Sequence, residues 1–385
     1  MPHKESNQKK SFVGRVVQVM LYVLAAFAGC VIILAGMLLI CSPGKPEPFT
    51  DEQGRPLPSG ISEKIHVKIG GADQGMFIRG RDIKNPVLLF MHGGPGMPEY
   101  FIAEKYPCGL EDRFTVCYWD QRGGGISYSP DIKAESITVQ NYVSDAVEVT
   151  NYLRRRFGQD KIYLMAHSWG TFIGIQAAAQ EPELYRSYIG VAQISNMLES
   201  ERLAYDYMLS RYSEDGNTEM VEKLEQYAVF ESDAAVRSFF TSMLRDKTMH
   251  ELGIGTMRSM KSVFFGVFLP VMQSKAYTPA EKINLWRAKA FLRDDTELID
   301  RLFAADLALD VPKLEIPAYF MSGRYDYTVN HSLSKAYCES LQSPAKGFYT
   351  FEESAHSPMF EEPEKFMKIM TEDVLNNKTT LADAE

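Results

Sequence analysis

The chain has 385 residues, of which 45% are hydrophobic and 24% charged, and it contains no internal repeat or low-complexity tract. This composition is typical of a folded globular protein and excludes an extensively disordered one. The formal net charge is −9, and the part beyond Cys41 is more acidic still, so nucleic-acid binding is not expected.

Residues 16–41 form a run of twenty-six residues without a charged side chain. At about 1.5 Å per residue, such a helix can cross a bilayer core of about 30 Å. Basic residues precede the run and prolines follow it, which favours a signal anchor over a buried helix. A cleaved secretory signal and a lipoprotein signal are the alternatives. The run is too long for the first, and ten apolar residues after Cys30 disfavour the second.

The basic flank also predicts the orientation, because short segments rich in Lys and Arg stay in the cytoplasm. We therefore expect a single-pass protein of the cell membrane with its folded domain outside the cytoplasm. Residues 1–15 would be a cytoplasmic tail, 16–41 the transmembrane helix, and 42–62 a linker that lifts the domain from the membrane surface.

Four predicted strands follow the linker: an antiparallel pair, Lys64–Ile69 and Gly75–Arg79, then the buried apolar run Val87–Met91, and then Phe114–Trp119. The third run leads into His92-Gly93-Gly94-Pro95-Gly96, a loop with little helix or strand propensity. Three glycines and a proline indicate a loop whose role depends on the conformation of its backbone. At the end of a strand, it can direct an amide N–H at a neighbouring site.

A second glycine-rich loop, Asp120-Gln121-Arg122-Gly123-Gly124-Gly125, follows the fourth predicted strand. It matches neither G-x-G-x-x-G nor the P-loop, so we do not expect a nucleotide site. Asp120 and Arg122 are predicted to be structural, either as an ion pair or as groups that brace the loop. A catalytic role is the alternative.

The segment from Lys161 to Ala179 predicts a buried strand, a sharp turn and a helix. The turn, Ala166-His167-Ser168-Trp169-Gly170, fits the small-x-Ser-x-Gly nucleophile elbow, which exposes a serine at the carboxyl end of a sheet. Ala166 adds one methyl group at the first small position, where the helix packs on the strand. The motif also occurs around ordinary turn serines, so Ser168 needs a base and an acid elsewhere in the chain.

Regular alternation of strands and helices stops after another predicted strand, Ser187–Ala192. Residues 196–311 have a mostly helical pattern and are predicted to fold as a cap over the carboxyl edge of the sheet. Within them, the Met- and Phe-rich stretch Met249–Tyr277 is expected to pack in the core of the cap. Lining of a substrate pocket is the alternative.

The last two predicted strands, Ile316–Met321 and Gly347–Phe351, are each followed by a residue that can complete a catalytic triad. Asp326 follows the first strand and His356 the second. His331 lies too close after Asp326, at the start of the next helix. The chain order Ser168, Asp326, His356 is that of the α/β-hydrolases.

Four motifs together resemble the proline iminopeptidase group of α/β-hydrolases: His92–Gly96, Asp120–Ser127, the elbow at Ser168 and Gly323–Asp326. The resemblance covers about residues 64–371. This chain differs at the elbow, where family members more often have Gly-Gly in place of Ala166-His167.

The resemblance implies an α/β-hydrolase fold, with a mostly parallel sheet and helices on both faces. Its core would comprise residues 63–195 and 312–378, and its helical cap residues 196–311. The implied function is an aminopeptidase that releases N-terminal residues from small peptides through an acyl-enzyme. An esterase or amidase with a small acyl substrate is the alternative, and a non-catalytic binding protein on the same scaffold is a third hypothesis.

In this group Ser168 would be the nucleophile, His356 the general base and Asp326 its orienting acid. No metal or organic cofactor is implied, and the sequence has no His/Cys cluster with zinc-like spacing. The expected oxyanion donors are the backbone N–H groups of Trp169 and Gly94, with Gly93 as the alternative.

An enzyme limited to N-terminal residues must recognise a protonated α-amine, and a carboxylate is its natural partner. The start of the cap leads directly from a sheet strand and should overhang Ser168. We therefore predict Glu201 as the amine-binding residue, with Glu199 as the second choice. A solvated helix face paired with Arg202 is the alternative for both.

Overall fold

The computed structural model describes residues 2–384, whose centre is an eight-stranded sheet in the order β1-β2-β4-β3-β5-β6-β7-β8. The strands are β1 (Ile61–Ile69), β2 (Ala72–Gly80), β3 (Val87–Met91), β4 (Thr115–Trp119), β5 (Ile162–His167), β6 (Tyr185–Val191), β7 (Ala318–Gly323) and β8 (Lys346–Phe351). β2 is antiparallel to β1 and β4, whereas β3, β4, β5, β6, β7 and β8 are parallel to one another. The mostly parallel sheet is confirmed, and each predicted strand lies within a few residues of an observed one.

Helices precede the sheet, cover both of its faces and form the cap. They are α1 (Pro2–Ile40), α2 (Tyr100–Lys105), α3 (Leu110–Arg113), α4 (Val139–Phe157), α5 (Trp169–Gln180), α6 (Met197–Glu214), α7 (Thr218–Glu225), α8 (Asp233–Phe240), α9 (Met243–Leu252), α10 (Leu269–Gln273), α11 (Pro279–Asp294), α12 (Leu298–Ala304), α13 (Leu307–Asp310), α14 (His331–Ser340), α15 (Pro358–Glu361) and α16 (Pro363–Glu372). A π-helical segment, Phe264–Phe268, runs directly into α10. The helices from α6 to α13 lie between β6 and β7, so the mainly helical insertion is confirmed.

The central strands are buried along their whole length because both faces of the sheet are covered. Side chains alternate between two cores: Leu89 of β3 packs with α4 and α5 on one face, and Leu88 and Phe90 pack on the other. Strand order reverses beside β3, which leaves a crevice at the carboxyl ends of the strands. The loops after β3, β5, β7 and β8 meet there, beneath the cap.

The segment after α1 contacts the cap. Lys282 Nζ donates hydrogen bonds to Ser42 Oγ and to the Met272 carbonyl, both at 2.7 Å, and Gly44 N–H donates to the Lys275 carbonyl at 3.0 Å. These hydrogen bonds fix the first part of the predicted linker, residues 42–62, on the cap, and its role in lifting the domain from the membrane surface stays a prediction.

Candidate active site

The turn between β5 and α5 has the geometry of a nucleophile elbow. Ser168 has φ 52° and ψ −123°, a strained backbone conformation for a residue with a side chain. A Cβ at Gly170 would lie 2.3 Å from the Met91 carbonyl oxygen, so only glycine fits the second small position. The extra methyl group of Ala166 is accommodated because Gly174 faces it, where a Cβ would lie only 3.0 Å away.

Asp326 and His356 are brought together at the ends of β7 and β8. His356 Nδ1 lies 2.9 Å from Asp326 Oδ2, and both residues are buried. Asp326 Oδ1 accepts a second hydrogen bond, from Val329 N–H at 2.9 Å. Because the carboxylate is an acceptor, it holds the proton of His356 on Nδ1 and leaves Nε2 available as a base.

Ser168 and His356 line the same cavity, which has a volume of about 260 Å³ and is roofed by the cap. Within residues 2–384, no hydrogen bond joins the Ser168 hydroxyl to the His356 ring. Catalytic hydrogen bonds are often long before substrate binds and shorten in the enzyme–substrate complex. The absence of this hydrogen bond is therefore compatible with proton transfer from Ser168 to His356 once substrate is bound. The cavity is at the small end of ligand sites.

The three amides considered for the oxyanion hole differ in their hydrogen bonding. Gly93 N–H donates to Glu99 Oε1 at 2.9 Å and is therefore already used. The amides of Gly94 and Trp169 have no acceptor among the described residues. Gly94 has φ 121°, and a Cβ there would lie 2.6 Å from Gly96 N, so its backbone conformation requires glycine.

Glu99 and His167 form a buried pair beside Ser168. His167 Nδ1 lies 2.7 Å from Glu99 Oε1, and its Nε2 lies 2.7 Å from the carbonyl oxygen of His356. Both partners are acceptors, so both ring nitrogens donate and His167 is an imidazolium. The ring therefore connects Glu99 to the backbone of His356.

The charges of this pair stabilise each other against burial. Burial alone would raise the pKa of Glu99, but the charge of His167 and its hydrogen bond outweigh that effect and hold the pKa below its usual value. Burial likewise opposes ionisation of His167, but Glu99 raises its pKa above the usual value. Glu99 Oε2 is buried and has no hydrogen-bond partner among the described residues.

The glycine-rich loop after β4 contributes structural contacts. Gln121 donates from Nε2 to the His92 carbonyl at 2.8 Å and accepts from Trp169 Nε1 at 3.1 Å, so it connects the two loops to the elbow helix. Arg122 forms a buried ion pair with Asp145 at 2.7 Å. Asp120 accepts from Ile126 N–H, and burial raises the pKa of Asp120 to about 8.

Neither carboxylate predicted to bind the amine lines the cavity, so the structure corrects both predictions. Glu201 is fully buried and forms a two-pronged ion pair with Arg245, whose side chain separates it from the cavity. Glu199 lies on the outer face of α6, 3.7 Å from Arg202, which is the solvated pair given as the alternative. The error arose because the sequence does not reveal that α9 places Arg245 over α6.

The Met- and Phe-rich stretch of the cap occupies three environments. Met257 and Met260 are buried, as predicted for the core of the cap. Met249 lines the cavity, as the alternative proposed. Phe264 and Phe265 do neither, since they are 52% and 69% exposed.

Sequence reasoning missed the part played by Glu99 and His167. His167 stood out only as a departure from Gly-Gly at the elbow, and no sequence pattern singled out Glu99. The two residues are 68 positions apart, and the fold alone brings them together.

The Glu99–His167 pair predicts a pH-dependent contribution to stability. Its Glu99 part is complete above the ordinary pKa of 4.5 and is lost as pH falls through the lowered pKa. Its His167 part is complete below the ordinary pKa of 6.5 and is lost as pH rises through the raised pKa. We expect Glu99→Gln to lower the stability by about 1–3 kcal/mol between these values. The difference in thermal midpoint from the native protein should shrink at higher pH.

The control for this measurement is Glu199→Gln, which removes an exposed carboxylate and should leave the midpoint almost unchanged throughout. A deficit of Glu99→Gln that stays constant from pH 5 to well above 7 would contradict the ionised pair.

Comparison with known proteins places the chain in a family. Residues 86–363 match the family model described as the alpha/beta hydrolase fold. A probable aminopeptidase of Bacillus subtilis (YbaC) is 31% identical over 82% of this chain and 97% of its own length. A proline iminopeptidase of Clostridium botulinum is 26% identical over 74% of this chain and 88% of its own. The crystal structure of a Mycobacterium smegmatis proline iminopeptidase superposes with a TM-score of 0.60 at 17% identity, over 82% of this chain and 98% of that one. The chain is therefore a hydrolase of the α/β-hydrolase family and belongs to its proline iminopeptidase group.

Proposed function

We propose that this protein is a serine aminopeptidase that releases N-terminal residues from small peptides, with Ser168, His356 and Asp326 as its catalytic triad. The observation that carries the proposal is the His356–Asp326 hydrogen bond of 2.9 Å, in the cavity that Ser168 also lines. The relatives named aminopeptidase and proline iminopeptidase support the reaction class.

In the first half of the reaction, His356 Nε2 removes the proton of Ser168 as its Oγ attacks the carbonyl carbon of the first residue. Asp326 holds the imidazole and stabilises the positive charge that it gains. The negative charge on the carbonyl oxygen would be stabilised by Trp169 N–H and Gly94 N–H, the two of the three candidate amides that have no acceptor among residues 2–384.

Collapse of this intermediate breaks the peptide bond. His356 gives its proton to the leaving nitrogen, and the first residue stays on Ser168 as an ester. Water then attacks the ester carbon while His356 takes its proton, and the released products are the free amino acid and the native serine.

The α-amine of the substrate would be bound by Glu99, in place of the cap glutamates that the sequence suggested. The Cβ position of Gly93 lies 2.9 Å from Glu99 Oε1 and 3.1 Å from Ser168 Cβ, so carboxylate and nucleophile lie within about 6 Å of each other. An α-amine is only two bonds from the carbonyl carbon that Ser168 attacks. A buried carboxylate oxygen without a donor, as Oε2 is, gains a strong partner when an ammonium group binds.

The same triad could serve an esterase or amidase, and apolar lining residues of the cavity such as Met249 and Val267 suit a small acyl group. Matched substrates separate these hypotheses: aminoacyl anilides with a free amine, their N-acetylated forms, and a simple ester. Preference for the free amine supports the aminopeptidase. A non-catalytic binding protein on the same scaffold would hydrolyse none of these substrates and would not be labelled by a fluorophosphonate.

We predict that Ser168→Ala abolishes turnover while the protein still folds. Losses on the order of a millionfold occur when such a serine is removed. Activity on the best anilide, fluorophosphonate labelling and the thermal midpoint would be measured on one preparation. More than a few per cent of native activity in the pure variant would require another nucleophile.

We predict that Glu99→Gln raises KM for free-amine substrates about tenfold or more and changes hydrolysis of the small ester much less. The reason is that the ester has no ammonium group for the carboxylate to bind. Steady-state kinetics on both substrates give the comparison.

His167→Gln is the matched control, because it breaks the same buried pair but keeps the Glu99 carboxylate. It should impair both substrates alike through the position of His356. Glu201→Gln should also fail to discriminate, since Glu201 lies behind Arg245. An equal loss on amine and ester in Glu99→Gln would limit Glu99 to a positioning role.

We further propose that α1 anchors the protein in the cell membrane, with the N-terminus in the cytoplasm and the hydrolase domain outside. Within the described chain, Gly14–Ile33 is long and apolar enough to span a bilayer. The exposed pair Phe264 and Phe265 supports this arrangement. This pair lies about 10 Å from Met272 along a helical path. Lys282 donates hydrogen bonds both to the Met272 carbonyl and to Ser42, which follows the end of α1. Exposed aromatic side chains near the end of an anchor suit the membrane interface.

Protease added to intact cells or spheroplasts should therefore digest the hydrolase domain. Because α1 is the only proposed anchor, a domain outside the cytoplasm has no membrane between it and the protease. Loss of the full-length band on an immunoblot is the measurement, and a cytoplasmic protein that stays intact is the control. Protection of the domain until the membrane is lysed would reverse the proposed orientation.

A further inference from the structure

The cavity wall formed by the cap carries a cation, Lys289, that has no ion-pair partner among residues 2–384. Three cations of the cap line this wall, Arg245, Lys289 and Arg293, together with one carboxylate, Asp246. Arg245 is paired with Glu201 through two nitrogens, and Arg293 is paired with Asp294 at 2.6 Å. Lys289 has neither a hydrogen bond nor an ion pair among residues 2–384.

Lys289 is placed close to the catalytic loops by its helix. Lys289 and Arg293 are four residues apart on α11, so they project from the same face. That helix packs against the glycine loop: the Cβ position of Gly96 lies 2.6 Å from Leu292 Cδ1 and 3.5 Å from the Ala288 carbonyl oxygen. The two cations therefore stand beside the loop that carries Gly94.

The environment of Lys289 favours an anionic ligand. Burial lowers the pKa of Lys289, and Arg293 acts in the same direction, whereas Asp246 partly opposes them. Asp246 is itself 3.4 Å from Arg245 and more than half exposed, so its charge is shared with that guanidinium and with water. A partly buried ammonium group that makes no hydrogen bond gains most from an acceptor that is itself charged.

We propose that Lys289, assisted by Arg293, is the subsite for the free C-terminal carboxylate of a short peptide substrate. This inference rests on the proposed aminopeptidase function. A peptide held by its amine at Glu99 and by its carboxylate at Lys289 is limited in length by the distance between these two groups of one small cavity. The subsite thus defines the substrate class as free short peptides rather than the N-termini of folded proteins.

The test compares two- and three-residue peptides as free acids and as C-terminal amides, each beginning with the residue that the anilide series selects. The native full-length enzyme should hydrolyse the better acid about tenfold or more faster, in kcat/KM, than its amide. Lys289→Met should lose this preference because hydrolysis of the acid alone becomes slower. Lys289→Arg, which keeps a positive charge at this position, should retain the preference. Arg287→Met, an exposed cation on the same helix, is the matched control and should keep the preference.

Equal kcat/KM for acid and amide in the native enzyme would overturn the subsite and leave the aminopeptidase intact. An equal slowing of both substrates by Lys289→Met would also overturn it. If the native enzyme cleaves no peptide, the proposed function fails instead. Calorimetric titration of Ser168→Ala with the same acids and amides then decides the subsite. The subsite requires that the acid binds more tightly than the amide, and that a Ser168→Ala, Lys289→Met double variant loses this difference.

Discussion

The close approach of α5 to the end of β3 is the constraint on which the site depends. Gly170 lets the helix backbone contact the Met91 carbonyl, and any side chain there would push the two elements apart. That contact fixes where α5 begins, and so holds Ser168 in its strained conformation, with Trp169 N–H lacking an acceptor in the part of the chain that the structure describes. The nucleophile and one proposed oxyanion donor are therefore consequences of a single backbone contact.

Buried polar contacts then fix the surrounding loops relative to the elbow. Gln121 joins the loop after β3 to Trp169, and His167 joins Glu99 to the backbone of His356. Each of these side chains has acceptors or donors on two different loops, so moving one loop leaves a buried polar group unpaired. This explains why a histidine can occupy the position before Ser168: it is held by Glu99, and in return it supports the catalytic loop.

The fold and the proposed triad could be predicted because their signals are local. A buried strand is recognised as an apolar run, and Ser168, Asp326 and His356 each lie in the loop that follows such a run. The amine-binding prediction failed because it depended on which helices of the cap touch. Glu201 is on α6 and its partner Arg245 on α9, and no local pattern reveals that they meet. Glu99 was missed for the same reason, since its partner lies 68 residues away.

Helix α11 contacts three segments that are far from it in the sequence. Near its start, Lys282 binds Ser42 just beyond α1, and Glu281 accepts from Lys64 of β1 at 2.8 Å. Near its end, Leu292 packs against the glycine loop, and Lys289 between them faces the cavity. A helix is stiff over this length, so the position of the chain leaving α1 and the position of the cavity cations are set together. Such coupling gives a physical reason for the linker to be bound to the cap instead of hanging free. A loose linker would leave the buried ammonium group of Lys282 without Ser42 Oγ, one of its two acceptors, and the same helix could then shift at the glycine loop.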